Sequence, residues 1–381
     1  MRFLIISDCY YPTTKSISRH IYDLLKEASI RGTVIDFYFP YNGNKKNIFK
    51  KSYLIKNINY FPIKTTNFKK KNLLLRGLSE FLMPFIFWSY IKKNKNHFNK
   101  ILIFSPSIFF GLIIKKLKKK FKCIVILILR DIFPDWILQK QIIQWLNPLF
   151  LLAKVISFFQ YYLSDIIAVQ SYGDKEIIKK RYPNKSVKVI YNWISPKKFK
   201  IRKKNNITNF VFAGTIGPAQ NWYNIIDLIT KLNKEKLEFK FFFVGDGRYK
   251  FFLKKKLIDF KNVYFKRSLQ EKKFLKFLKG MDVGIISLDH KIKFNNIPGK
   301  FFSYLEVNLP ILLDANYKQE VSKIIKHYKI GLTNRNINND LFKNAKILIE
   351  KKINHQEIKK NYKLLLREKF STKIAYKKIF D

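Results

Sequence analysis

The sequence is short of acid, sulfur and long apolar runs, and each shortage excludes something. Its 381 residues hold 26 Asp and Glu against 76 Lys and Arg, for a formal net charge of +50. Chemistry that needs several cooperating carboxylates has few to draw on. Two cysteines, Cys9 and Cys123, cannot form a disulfide scaffold or a zinc ribbon, and they suit a reducing compartment. The five histidines, His20, His97, His290, His327 and His355, lack the spacing of metal ligands. No Walker A motif, Gly-x-Ser-x-Gly elbow, zinc finger or RNA-binding signature occurs. The apolar start, Met1–Ser7, is too short for a signal peptide and runs straight into Asp8, so it reads as a first buried strand.

Two stretches come nearest to a membrane segment. Phe81–Ile91 (FLMPFIFWSYI) has 11 residues and contains Pro84, so it cannot span a bilayer. Lys69, Lys70, Lys71 and Arg76 precede it, and Lys92, Lys93 and Lys95 follow. Two readings stand: a helix lying in a membrane interface, or a core helix with solvated ends. Trp145–Leu163, interrupted by Pro148 and Lys154, reads as packed helices. A soluble or peripheral protein is expected.

What the chain has in quantity is apolar residue, at 47%, which excludes wholesale disorder; its length suits two domains. Lys, Asn, Ile, Phe and Tyr are all abundant, with 37 Phe and 21 Tyr, and the lysines are spread along the whole chain. This is a compositional bias rather than a basic tail. A surface of that charge adheres to anionic lipid or nucleic acid at low salt.

Short apolar runs alternate with helical patterns, the mark of parallel sheets covered on both faces. Strands are predicted at Phe3–Ser7, Val34–Tyr38, Ile101–Phe104, Ile124–Leu129, Ile166–Val169 and Val187–Ile190. The pattern restarts at Phe210–Ala213, Phe241–Val244, Val263–Phe265, Val283–Ser287 and Ile311–Asp314. Helices are predicted near Ser18–Ile30, Trp222–Leu232, Leu269–Lys279, Lys300–Glu306 and Gln319–Lys326, with more after Asn339. The fold class is α/β, with two doubly wound Rossmann-like domains facing across a cleft. The domains are expected at 1–194 and 207–381, joined by a polar, basic linker at 195–206, with the last helix packing back on the N-terminal domain. Ligands of such sheets sit beyond the carboxyl ends of the strands.

Five loops occupy that position. Gly214 and Gly217 follow a strand and precede a helix whose start could receive a phosphate. Gly245-Asp-Gly-Arg248 follows the next strand, with Asp246 and Gly247 in a turn-forming pair and Arg248 as a possible phosphate contact. Pro298-Gly-Lys300 opens a helix, and a lysine at a helix start suits a diphosphate. Arg130 and Asp131 follow a buried strand in the first half, with Asp135 close behind. Lys15, Ser16 and His20 belong to the loop and helix after the first strand. Taken singly, each also reads as a ligand-free turn, a surface lysine, a structural ion pair or a structural histidine.

In order and spacing these segments resemble glycosyltransferase family 4, the GT-B-fold retaining sugar transferases, and especially those of bacterial surface polysaccharide synthesis. The segments are LIISDCYYPTTKSISRHIYDLLKEASIRG, RDIFPDW, SDIIAVQSYGDKE, VKVIYNWISPKKF, FVFAGTIGPAQNWYNIIDLI, FFFVGDGR, NVYF and IPGKFFSYLEVNLPILL. The resemblance implies a nucleotide diphosphate sugar donor, UDP- before GDP-, held by the second domain without metal or other cofactor. Gly214, Gly217 and Lys300 would contact the diphosphate, and Gly245, Asp246, Gly247 and Arg248 would line the donor pocket. Arg130 and Asp131 would take the catalytic place in the first domain, with Lys15, Ser16 and His20 on the acceptor side. The family's paired glycines are Lys15-Ser16 here. Its paired glutamates are Asn295 and Ser303, with Glu306 about one turn further on as a possible ribose contact. The implied partners are a lipid-linked glycan acceptor and an anionic membrane surface, with no specific nucleic acid, at the inner face of the plasma membrane. Two alternatives remain: an epimerase of nucleotide sugars on the same fold, and a non-catalytic basic protein binding membrane or nucleic acid.

Overall fold

The computed structural model describes residues 1–11, 16–41, 54–65, 73–105, 107–135, 147–195, 207–290, 297–334, 340–350 and 354–381. They form two compact units. The first joins Met1–Ser195 to Thr372–Asp381, and the second is Pro196–Ser371. Apart from Ser195, the expected linker lies outside the described residues.

The first unit runs β1 (Arg2–Ser7), α1 (Ser16–Ile30), β2 (Val34–Tyr41), β3 (Ile58–Lys64), α2 (Leu73–Ile91) and β4 (Lys100–Ser105). It continues with a short 3-10 turn (Ile108–Phe110), α3 (Gly111–Phe121), β5 (Ile124–Leu129), α4 (Pro148–Leu163), β6 (Ile166–Val169), α5 (Tyr172–Arg181) and β7 (Ser186–Val189). The strands make a parallel seven-stranded sheet in the order β3-β2-β1-β4-β5-β6-β7. The order reverses between β1 and β4, where doubly wound sheets open a crevice. Runs such as VILIL in β5 (125–129) are buried on both faces, as a helix-covered parallel sheet requires. Helix α1 turns Ile17, Ile21, Leu24, Leu25 and Ala28 into the core, the spacing of an amphipathic helix. The C-terminal helix belongs to this unit: the Tyr376 hydroxyl lies 2.6 Å from Thr33 Oγ1, and the Phe380 ring meets Phe3 edge-on at 4.6 Å.

Strand β3 has no counterpart in the sequence reading. Pro62 lies inside it, and proline cannot donate to a central ladder. The structure resolves this by placing β3 at the sheet edge, where Phe61 stacks on Tyr38 at 4.5 Å. Next to it, Asp36 is fully buried. Its carboxylate accepts from Arg2 Nη2 at 2.8 Å, Asn59 Nδ2 at 2.8 Å, Asn94 Nδ2 at 2.8 Å and Asn96 Nδ2 at 3.1 Å.

The second unit runs β8 (Thr208–Ala213), α6 (Trp222–Lys234), β9 (Phe239–Val244), α7 (Lys250–Lys256), β10 (Val263–Lys266), α8 (Glu271–Leu278) and β11 (Val283–Ser287). It goes on with α9 (Gly299–Glu306), β12 (Ile311–Asp314), α10 (Glu320–Tyr328), β13 (Gly331–Thr333), α11 (Leu341–Ile349) and α12 (His355–Leu365); α13 (Thr372–Phe380) then returns to the first unit. The parallel sheet is ordered β10-β9-β8-β11-β12-β13. β13 is three residues long, too short to show a sequence pattern. The abundant phenylalanine fills this core, with Phe243 stacked on Phe265 at 4.8 Å and Phe210 parallel to Phe241 at 6.1 Å.

Candidate functional site

The second sheet reverses its order between β8 and β11, so the loops after those strands flank the switch point. The loop after β8 lies backbone to backbone on the loop after β9. The Gly214 amide donates to Val244 O at 2.9 Å, and the Ile216 amide donates to Asp246 O at 3.1 Å. Only glycine permits this. A Cβ on Gly245 would sit 2.0 Å from Gly214 O, and Gly245 holds φ +149.

Helix α9 reaches the same place. The fully buried Tyr304 hydroxyl accepts from the Ala213 amide at 3.1 Å and lies within hydrogen-bond distance of Val211 O at 3.0 Å and Ile285 O at 3.1 Å. That fixes α9 against both strands of the switch point. Behind it, the Phe370 ring packs on Phe301 at 5.6 Å and Phe302 at 5.4 Å. No side chain caps the start of α9 at Pro298, so the positive end of its dipole is open.

These elements enclose a cavity of about 370 Å³, whose wall includes Gly214, Thr215, Gln220, Gly299, Lys300 and Ser303. Lys300 Nζ stands 3.7 Å above the Phe212 ring. No carboxylate pairs with it among the described residues. Burial pushes its ammonium down to about 7. A partly desolvated cation without an anion, beside an open helix start, is set to take an anionic group.

The other sequence candidates have distinct places. Gly217 shapes the loop rather than facing the cavity: its amide donates to Gln220 Oε1 at 3.0 Å, and its carbonyl accepts from Trp222 Nε1 at 2.7 Å. Asp246 is exposed and pairs with Lys250 at 2.5 Å, which with Ser268 holds its carboxyl below the usual range. Gly247 packs against Ile216 O, and Arg248 is an exposed turn residue. Glu306 is buried and is not among the residues that line the cavity. The start of α6, expected to receive a phosphate, carries its own cap: Asn221 Oδ1 accepts from the Asn224 amide at 3.3 Å. Asn295 and Lys15 lie outside the described residues, as does the side chain of Ser16.

A buried polar network beside the cavity was absent from the sequence reading. Asp314, at the end of β12, is fully buried. It accepts from His290 Nε2 at 2.9 Å, Asn224 Nδ2 at 3.1 Å, Ser287 Oγ at 3.1 Å and Asn334 Nδ2 at 3.3 Å. The Asn221 amide donates to Ser287 Oγ at 3.1 Å, which ties this network to the glycine loop. The hydrogen bond to Asp314 raises the His290 imidazole above its ordinary value. The available signal was an acid closing the apolar run ILLD in a chain with few acids.

In the first unit, Asp8 and Cys9 follow β1, and Arg130 and Asp131 follow β5. Burial lowers the Arg130 guanidinium, against the opposing pull of Asp131, Cys9 and Asp8. Burial, then Arg130 and Arg19, holds His20 down to about 3, so His20 is neutral near pH 7. Its carbonyl accepts from Trp193 Nε1 at 2.8 Å. Arg130, Asp131 and His20 are thus brought to the carboxyl end of one sheet. Asp135 is committed to an ion pair with Arg181 of α5.

No protein-family model matches the chain. A probable glycosyltransferase of Pseudomonas aeruginosa, WbjE, is 24% identical over 278 residues, covering 69% of this chain and 68% of that protein. Among solved structures, the apo form of the lipopolysaccharide outer core galactosyltransferase WaaB superposes with a TM-score of 0.65 at 13% identity, over 99% of this chain and 97% of that one. A Staphylococcus aureus TarM variant, in complex with fondaparinux, α-GlcNAc-glycerol and UDP, does so at 0.64 and 12% identity, over 99% and 98%.

Proposed function

We infer that this chain, which has the GT-B fold, is a glycosyltransferase of bacterial surface polysaccharide synthesis. It moves a sugar from a nucleotide diphosphate sugar to a glycan acceptor. The observation that carries this is Lys300 above Phe212, at the open start of α9 and facing the Gly214 backbone. The relative named as a glycosyltransferase and the neighbour solved with UDP support the substrate class.

In the proposed reaction the bond between the anomeric carbon and the donor diphosphate breaks, and an acceptor hydroxyl oxygen bonds to that carbon. The acceptor proton leaves with the diphosphate. Lys300 and the α9 dipole stabilise the negative charge that grows on the departing diphosphate, the role a preorganised cationic site fills without metal. Arg130 and Asp131 take the catalytic place in the first unit, with His20 near the acceptor. We further propose UDP as the nucleotide, a hexose as the sugar, retention at the anomeric carbon, a lipid-linked acceptor, and a peripheral position at the inner face of the plasma membrane.

The test is to incubate the protein with single UDP- and GDP-sugars and lipid-extracted acceptor, with and without EDTA, and to analyse products by mass spectrometry. The expected result is an acceptor heavier by one sugar, with stoichiometric nucleotide diphosphate, unaffected by EDTA. An interconverted nucleotide sugar with no transfer would identify an epimerase and overturn the reading.

A further inference from the structure

Helix α4 presents a broad apolar face outward. A helix on a water-soluble sheet protein turns apolar residues inward and polar ones outward. Here Gln160 and Ser157 share the buried side with Phe150 and Tyr161, and Ser164 just after the helix is fully buried, whereas Leu152, Phe159 and Tyr162 are 56%, 50% and 58% exposed. Leu151, Val155 and Phe158 are exposed beside them. Steps of three, four and seven residues put all six on one helical face.

This setting is locked rather than loose. Gln160 Oε1 accepts from the Gly111 amide at 3.2 Å, and Gln160 O accepts from Ser164 Oγ at 2.7 Å. A Cβ on Gly111 would lie 2.7 Å from Gln160 Cα, so the two helices meet too closely for α4 to turn. The Tyr161 hydroxyl donates to Phe133 O at 3.0 Å.

The exposed face continues across the neighbouring helices. α3 packs against both α4 and α2. Leu112 of α3 and Leu78, Phe81, Leu82 and Phe85 of α2 are exposed. Positive charge predominates on these helices: α3 carries Lys115, Lys116, Lys118, Lys119 and Lys120 and no acid, with Lys118 paired to Asp165 at 2.6 Å, and α4 carries Lys154 and no acid. The only acid in α2 is Glu80. Lys116 Nζ lies 5.9 Å over the Phe85 ring, and Lys185 Nζ lies 5.1 Å over the Tyr162 ring.

We propose that the face formed by α2, α3 and α4 binds an anionic lipid bilayer, with α4 as the principal inserting element. Exposed aromatic and aliphatic side chains enter the headgroup–acyl boundary, and the lysines around them meet lipid phosphates. Apolar insertion and cationic attraction together are what a peripheral protein needs for stable attachment. Complementary charge selects a lipid surface over an uncharged protein partner. The inference rests on the membrane-peripheral part of the proposed function, but its test requires no sugar transfer.

The experiment is cosedimentation of the full chain with vesicles of phosphatidylcholine alone, or with about one third phosphatidylglycerol, at low salt and at about 0.5 M salt. The expected result is strong binding to the anionic vesicles that is weakened but not abolished by salt. The double variant Leu152→Ser, Phe159→Ser should partition about a hundredfold more weakly, since each residue takes a large apolar side chain out of the boundary. Both positions are exposed, and an unchanged melting temperature will show that the variant folds. Three results would overturn the proposal. The parent could stay in the supernatant with both vesicles. Salt could abolish binding that the double variant leaves intact, showing adsorption by net charge alone. The parent could be a dimer that the double variant dissociates, showing that a second copy covers the face. A chain that binds vesicles but no nucleotide would overturn the transferase reading and leave this one standing.

Discussion

Replacing Lys300 by methionine should stabilise the free protein and remove its nucleotide site. The substitution keeps an unbranched side chain over Phe212 and deletes the charge. A fall from 10.5 to about 7 corresponds to roughly 5 kcal/mol of opposition to the charged form, at about 1.4 kcal/mol per tenfold. Two effects reduce that figure. The side chain keeps partial access to water, and the cation gains about 1–2 kcal/mol from the ring 3.7 Å below it. A net gain of about 1–2 kcal/mol is expected near pH 6, where the parent lysine is charged. Diphosphate binding should weaken by about 1.5–3 kcal/mol, the worth of a charge-assisted contact, or roughly tenfold to a hundredfold. Denaturant unfolding of the second unit and calorimetric titration with UDP measure the two sides. A less stable variant, or one that binds UDP as tightly as the parent, would refute the argument.

Gly245→Ala puts a Cβ 2.0 Å from Gly214 O, so the two loops must part; a loss of about 2–3 kcal/mol in stability and of UDP binding is expected, measured by thermal unfolding with and without UDP. Asp36→Asn leaves Arg2 and the three asparagines short of an acceptor, and should cost about 3 kcal/mol in denaturant unfolding of the first unit while leaving UDP binding intact. Because the free Lys300 ammonium loses its proton near 7, binding a diphosphate at pH 8 should take up protons, read as a buffer-dependent heat in calorimetry that Lys300→Met abolishes. The same residue makes folding stability rise with pH between about 7 and its unfolded value of 10.5. His290 works oppositely: its bond to Asp314 contributes stability in full below the unfolded value of 6.5, and this is lost as pH rises from there through the raised folded-state value, so His290→Gln should lose stability at pH 6 and flatten the profile above it.

The parallel sheets were legible because their central strands are continuous apolar runs bounded by turns. β4, β5 and β8 fall where ILIF, IVILIL and FVFA stand in the chain. The edges were not. β3 contains Pro62 and shows half-exposed residues, and β13 has three residues. The glycine loops and Lys300 were legible from their places after strands or at a helix start. What the sequence conceals is partnership across the fold. Phe212 lies 88 positions from Lys300, and Asp314 gathers donors from α6, β11, the loop after β11, and the residue after β13. No local pattern joins them. The exposed apolar face of α4 was hidden for a related reason: an apolar run looks the same whether it faces core or solvent. The close approach of Gly111 to Gln160 and the Tyr161 bond to Phe133 O fix which way it turns.

Lys300 and the open start of α9 make a nucleotide diphosphate site in the second unit the expected one. It is tested most directly by thermal unfolding of the parent and Lys300→Met proteins with UDP, GDP and a short DNA duplex at low and moderate salt. A ligand at about 100 times its dissociation constant stabilises the native state by about 2.7 kcal/mol. The expected result is a shift with UDP that survives moderate salt and is lost in the variant. No nucleotide shift, with a DNA shift that salt abolishes, would contradict it and leave a protein that binds polyanions by charge alone.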